Sequence, residues 1–231
     1  MKDYKNIKIG EIVTHDFRAA EIFKNAGIDF CCGGNQSLGQ ACMEKNIDSA
    51  VLETKLAELE HTTVNALNNF NEWNLDFLCD YIVNTHHKTV MRLLPQLKAY
   101  TQKIEQVHGT HHPELIEIAT LFLQINEELL QHLKKEEEVL FSAIKDVLKT
   151  NSQEAKDSII SEINRMKGEH EFAGGAMDKI NVLSSNYNVP DDGCNTYHVT
   201  YKLLEEFEDD LHIHVHLENN ILYPKALALA K

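Results

Sequence analysis

The 231-residue chain carries 36 Asp and Glu against 22 Lys and Arg, a formal net charge of -14, with 43% hydrophobic residues. That apolar fraction is enough for a core, and the acidic balance leaves no basic excess to displace counterions from a phosphate backbone, which excludes nucleic acid as the expected partner. No apolar run approaches the ~20 residues that cross a bilayer, and Met1 to Phe17 lacks the apolar stretch and cleavage site of an export signal, so the expectation is a cytoplasmic protein without a membrane partner. The five cysteines are odd in number and irregularly spaced, which argues for thiol or metal chemistry over a disulfide framework.

Glycine and proline are scarce, 10 and 4, and long Leu/Glu/Lys/Ala-rich stretches lack the alternation of strands, so the fold is expected to be all-α. Residues 1–60 read as a small helical domain: Thr14 is placed to cap a helix over roughly 15 to 25 that Gly27 stops, and Asp48 to cap another over roughly 49 to 60. Between them lies the turn-rich segment Asp29-Phe30-Cys31-Cys32-Gly33-Gly34-Asn35. A polar linker over 61–74 leads to a bundle over 75–231. Four helical patterns cover roughly 75 to 107, 113 to 149, 152 to 186 and 195 to 223, broken at His108-Gly109 with Pro113, at Thr150-Asn151-Ser152, at Asn188 to Gly193, and at Pro224. Pro95 falls inside the first pattern and is expected to kink it or remove one hydrogen bond. Short connections force antiparallel neighbours, hence an up-down-up-down four-helix bundle.

A three-four repeat laid on each pattern gives its buried seam. The first runs Val83, His87, Val90, Leu94, Leu97; the second Ile118, Phe122, Ile125, Leu129, His132, Glu136, Val139, Ala143. The third runs Ile159, Ile163, Met166, His170, Ala173, Met177, Ile180, and the fourth Leu204, Phe207, Leu211, His214, Glu218, Ile221. Each helix thus sinks one histidine into the seam, two add a glutamate four residues on, and all six fall within about two turns of one level at ~1.5 Å per residue. Unpaired charges in such a core cost several kcal/mol, and metal cations relieve that cost. Four imidazoles and two carboxylates suit two metals about 3.5 to 4 Å apart, each carboxylate bridging. Oxygen and imidazole donors without thiolate favour iron or manganese over structural zinc, and the donor count leaves positions for water, dioxygen or nitric oxide.

Other residues leave two readings open. Glu128 and Glu169, beside the seam, are either acids that orient imidazole N–H groups or solvated edge residues. Cys31 and Cys32 are either a small apolar pair at a turn or a redox or iron-transfer thiol pair. Cys42, Cys79 and Cys194 read as packed small residues, His212 and His216 as solvated, and His111 and His112 as surface residues at a break. His86 lies on a neighbouring stripe and is a substitute candidate for His87.

The segment Gly27-Ile28-Asp29-Phe30-Cys31-Cys32-Gly33-Gly34 resembles the hallmark of ScdA-type N-terminal domains. His132-Leu-Lys-Lys-Glu136, Glu169-His170-Glu171 and His214-Val-His-Leu-Glu218-Asn-Asn-Ile-Leu-Tyr-Pro224 resemble a hemerythrin-like domain. The combination, covering nearly the whole chain, is similar to the iron-sulfur cluster repair di-iron proteins, the RIC family, in its ScdA branch. The resemblance implies a bridged centre of two non-haem irons on His87, His132, Glu136, His170, His214 and Glu218. It further implies repair of iron-sulfur clusters damaged by oxidative or nitrosative stress through iron donation, a repair role more than that of a classical enzyme. Damaged iron-sulfur proteins would be the clients and nitric oxide or dioxygen the small ligands, and a homodimer stays open. Gly174, where an oxygen carrier places histidine, and the absence of the carrier's Asp after Glu218 disfavour oxygen transport. The competing readings are a nitric oxide or oxygen reductase and a gas or redox sensor.

Overall fold

Ile9, Ile12 and Val13 share one buried face of a short helix, α1 (Ile9–His15). In this computed structural model, which describes residues 3–60 and 69–231, the described residues contain helices and no strand, with one isolated antiparallel bridge between Lys8 and Ser37. Thr14, expected to open a helix, instead lies inside α1. The turn is organised by Asp16, whose carboxylate accepts from Arg18 N at 3.1 Å and pairs with the Arg18 guanidinium at 2.6 Å, so that α2 (Ala19–Asn25) starts afresh. Gly27 ends that unit at φ +64, a backbone state that costs glycine nothing. Ser37 Oγ accepts from Gln40 N at 3.3 Å to cap α3 (Leu38–Glu44), and Asp48 Oδ1 accepts from Ala50 N at 3.0 Å at the start of α4 (Ser49–Glu60). Of the expected linker, residues 61–68 lie outside the described residues, and Phe70–Glu72 forms a 3₁₀ turn with Phe70 buried edge-on against Phe17 at 5.2 Å.

The long helical patterns carry a feature that periodicity does not announce. α5 (Leu75–Ile82) enters a π turn, Val83–His87, before α6 (Lys88–His108). α7 (Glu114–Lys135) enters a second, Glu136–Leu140, before α8 (Phe141–Thr150). α9 (Gln153–Leu183) is uninterrupted, whereas α10 (Asn195–His216) enters a third, Leu217–Leu222, before α11 (Tyr223–Leu229). Each π turn adds a residue to the ladder and shifts the side chains beyond it. Val139, expected in the seam, is therefore 39% exposed, and Leu140 takes the buried place. Pro224 does not stop its helix as expected; it sits second in α11, just past the register change, where a missing N–H costs little. Pro95 likewise stays within α6, on its exposed side.

The chain divides into two units, Met1–Leu78 with Val215–Leu229 and Lys231, and Cys79–His214 with Ala230. In the second, α6 packs on α7, and α7 and α8 pack on α9. α10 joins them through Phe207, edge-on to Phe122 at 5.5 Å, and through Glu206 with Arg92 at 2.7 Å. The expected breaks hold: Asn151 turns left-handed at φ +55, and Ser152 Oγ accepts from Ala155 N at 3.3 Å to cap α9. Ile118, Phe122, Ile125, Ile159, Ile163, Met166, Leu204 and Phe207 form its core, each large side chain contributing roughly 1.5–3 kcal/mol on burial.

Candidate metal centre

His87 ends the first π turn, His132 lies in the last turn of α7, His170 in the middle of α9, and His214 near the end of α10. Glu136 opens the second π turn and Glu218 lies one turn beyond His214 on the same helical run. All six are at most 2% exposed. Their donor atoms form two groups within each of which every atom lies within 4.8 Å of the others: His87, Glu136, His214 and Glu218, and His132, Glu136, His170 and Glu218. Glu136 and Glu218 belong to both. Glu136 Oε2 stands 3.4 Å from His87 Nε2 and 3.3 Å from His132 Nε2, and the Nε2 atoms of His132 and His170 approach to 3.0 Å.

This donor set fits metal cations. Imidazole nitrogens and carboxylate oxygens turned toward one another at 0–2% exposure carry lone pairs that water cannot reach, and a cation accepts several at once. Two imidazoles per group with two shared carboxylates is the arrangement of a bridged metal pair.

The far sides of the rings are also built. Glu169 accepts from His132 Nδ1 at 2.7 Å and pairs with Lys135 Nζ at 2.9 Å. The His132 hydrogen bond above all, with Lys135 behind it and burial opposing both, pulls the Glu169 carboxyl down to about 2. Glu137 accepts from His87 Nδ1 at 2.8 Å. A carboxylate on Nδ1–H fixes the tautomer and leaves the Nε2 lone pair facing inward. The first of the open readings thus applies to Glu169, whereas Glu128 is exposed on α7. Sequence reasoning missed Glu137; its only signal was adjacency to Glu136, and the π turn is what turns it toward His87.

Cys31 and Cys32 lie in the first unit, on a turn wound around Asp29. Asp29 Oδ1 accepts from Cys31 N at 2.8 Å and Cys32 N at 3.0 Å, Asp29 Oδ2 from Gly33 N at 2.7 Å, and the Cys31 thiol donates to Oδ1 at 3.0 Å. The two sulfurs stand 3.9 Å apart as free thiols. The hydrogen bond with Cys32, burial and the Asp29 charge, in that order, push the Cys31 thiol well above its ordinary range. These three residues also converge closely enough to hold a metal ion. Asn220 Nδ2 ties the turn down by donating to Phe30 O at 3.3 Å and Cys31 O at 3.2 Å. Gly34 is needed for that approach, because a Cβ there would stand 2.8 Å from Asn220 Oδ1.

Three other expectations are corrected. His216 is fully buried, with Nδ1 3.4 Å from Phe30 O, and burial pushes its pKa down to about 4; the stripe that looked solvated is covered within its unit by Phe17 and Phe30. Cys194 is exposed, its sulfur 3.2 Å from His108 Nε2, and that contact foremost lowers its pKa to about 7. His212 joins Asp178 and the buried Glu208 in another group whose donors lie within 4.8 Å of one another.

The fold and the paired His/Glu groups define a helical-bundle cation-binding protein. Consistent with this, residues 80–226 match the family model described as hemerythrin HHE cation binding domain, and residues 5–60 match ScdA_N, described as a domain of unknown function. The chain is 34% identical to the iron-sulfur cluster repair protein ScdA of Staphylococcus epidermidis, over 94% of this chain and 96% of that one. It is also 34% identical to the iron-sulfur cluster repair protein YtfE of Yersinia pestis, over 97% and 98%. The chain belongs to this family of iron-sulfur cluster repair proteins that join an ScdA_N segment to a hemerythrin HHE domain. No helix among the described residues is long and apolar enough to cross a membrane.

Proposed function

We propose that this chain is a di-iron protein that restores damaged iron-sulfur clusters in the cytoplasm by giving up iron. The observation that carries the reading is the pair of overlapping His₂Glu₂ groups sharing Glu136 and Glu218, supported by the names of the relatives. One iron would be held by His87 and His214, the other by His132 and His170, with both carboxylates common to the two. When bound, the pair supplies releasable iron and open positions for small gases such as nitric oxide or dioxygen.

The residues around the centre serve storage followed by release. Glu137 and Glu169 hold the Nδ1–H of His87 and His132, so those rings meet a cation already oriented and in one tautomer. The surrounding apolar core excludes water from the donors. The chain is organised as an N-terminal ScdA-type domain over 1–60 and a hemerythrin-like bundle over 75–231. Cys31 and Cys32 supply thiols for iron handling in the former; a thiol kept protonated by Cys32, burial and Asp29 becomes a ligand when a cation displaces its proton.

The test uses an aconitase-type enzyme inactivated by nitric oxide, incubated anaerobically with the iron-loaded protein and a reductant. Activity is expected to return faster than with an equal amount of free ferrous iron, and not to return faster with the metal-free protein or Glu136→Ala. Recovery at the same rate in all arms removes the proposal. Production of nitrous oxide over many turnovers would instead favour a nitric oxide reductase.

A further inference from the structure

The first π turn buries two adjacent histidines, His86 and His87, at 3% and 1% exposure. His86 belongs to neither of the two groups, yet it is presented as a ligand is. Its Nδ1 stands 2.9 Å from Asp210 Oδ1, repeating the carboxylate contact that Glu137 makes with His87 and Glu169 with His132. Its Nε2 is buried and without a hydrogen-bond partner. The ring lies flat against His214, with centroids 5.6 Å apart and planes at 8°, and meets Tyr81 edge-on at 5.7 Å.

If His86 served only to pack, phenylalanine would stack as well. Burying an unpaired ring nitrogen costs about 1–3 kcal/mol, so the nitrogen itself calls for an occasional partner. With Nδ1–H engaged by Asp210, Nε2 carries a lone pair and accepts either a hydrogen or a cation. The neighbours it can share a cation with are His214, on which it stacks, and His87, beside it in the chain; both belong to the same group.

We propose that His86 is a transfer ligand, a third imidazole that takes hold of the cation between His87 and His214 as it enters or leaves. The inference rests on the two-metal reading above and adds an inequivalence to it: the His87/His214 metal is the one surrendered first. The step is a ligand exchange. A bond from His86 Nε2 to the metal forms as the bond from His87 or His214 breaks, the lone pair comes from Nε2, the Nδ1 proton stays on the Asp210 hydrogen bond, and no electron is transferred.

The experiment loads the full chain anaerobically with two ferrous ions, adds an excess of a colour-forming iron chelator, and follows release by absorbance, with elemental analysis of the starting material. Wild type is expected to release one equivalent quickly and one slowly. His86→Phe, which keeps the stack and removes the nitrogen, should bind two equivalents and lose the fast phase by about tenfold in rate. Asp210→Asn should slow it less, and this variant decides the matter if His86→Phe loses its helical circular dichroism. Single-phase release by wild type, unchanged fast release in the folded variants, or a His86→Phe protein holding only one iron would each overturn the proposal, the last by making His86 a resting ligand. A wild-type protein that holds fewer than two metals would instead bring down the two-metal reading itself, an outcome distinct from all of these.

Discussion

The two units gather their reactive side chains in opposite ways. In the bundle the donors are remote in sequence, and each arrives on a different helix whose position depends on the packing of the whole core. In the first unit Asp29, Cys31, Cys32 and Gly33 are neighbours, and one carboxylate organises them by accepting three backbone N–H bonds and a thiol. A distributed site has rigidity from its scaffold and is lost when a shared donor is lost. A local site can be loosened by changing one contact on its periphery.

The largest effect expected from that contrast is at Glu136, which serves both groups. Glu136→Ala should reduce bound iron from two equivalents to near none, measured by elemental analysis, and chelation of wild type should lower its Tm because only the folded chain binds the metal pair. Retention of one full equivalent by the variant would break the claim that the carboxylate is common to both. Next come Glu137→Gln and Glu169→Gln, each expected to weaken iron affinity about 10–100-fold, with Glu128→Gln as the exposed control that changes nothing. Competition with a chelator of known affinity checks all three. Equal losses in the three variants would mean that bulk charge, and not contact with an imidazole, is at work.

In the first unit, Gly34→Ala drives a methyl into Asn220 and Asn220→Ala removes the donor to Phe30 O and Cys31 O. Each should destabilise by about 1–3 kcal/mol and speed alkylation of Cys31, while iron stoichiometry stays at wild-type level. Thermal melts and mass spectrometry of labelled peptides test this. The smallest effect concerns pH. The His108 contact lowers the Cys194 thiol from 9.0 to about 7, so its thiolate forms as pH rises through 7. Its alkylation should level off above that point, while an ordinary cysteine is still gaining rate toward pH 9. His108→Ala should move the Cys194 profile upward.

Much of the bundle could be read from residue spacing because its logic is periodic. The seam through Ile118, Phe122, Ile125, Leu129, His132 and Glu136 lies along one uninterrupted run of helix up to the point where Glu136 opens a π turn. Beyond that point the same repeat fails and selects the exposed Val139 over the buried Leu140. His86 escaped for the same reason: the repeat assigned it to another stripe, and the π turn buries it beside His87. Cys194 and His108 lie 86 residues apart, and no spacing rule connects the ends of two helices. Asn220 was unreadable because its partners are the Phe30 and Cys31 carbonyls, which any side chains could have supplied. The double glycine was visible in the sequence; that Gly34 leaves room for Asn220 was not.

The three π turns also govern which changes in length the chain can absorb. Removing one residue from Glu137–Val139 would let that stretch wind as ordinary helix, rotating all that follows by about 100° and bringing the apolar stripe of Phe141, Ile144 and Val147 round toward water. A single lost codon there would do more harm than most single replacements, although each side chain removed is exposed. The extra residue therefore works as a phase adjustment, joining two stretches of helix that are each correctly patterned but out of step with one another.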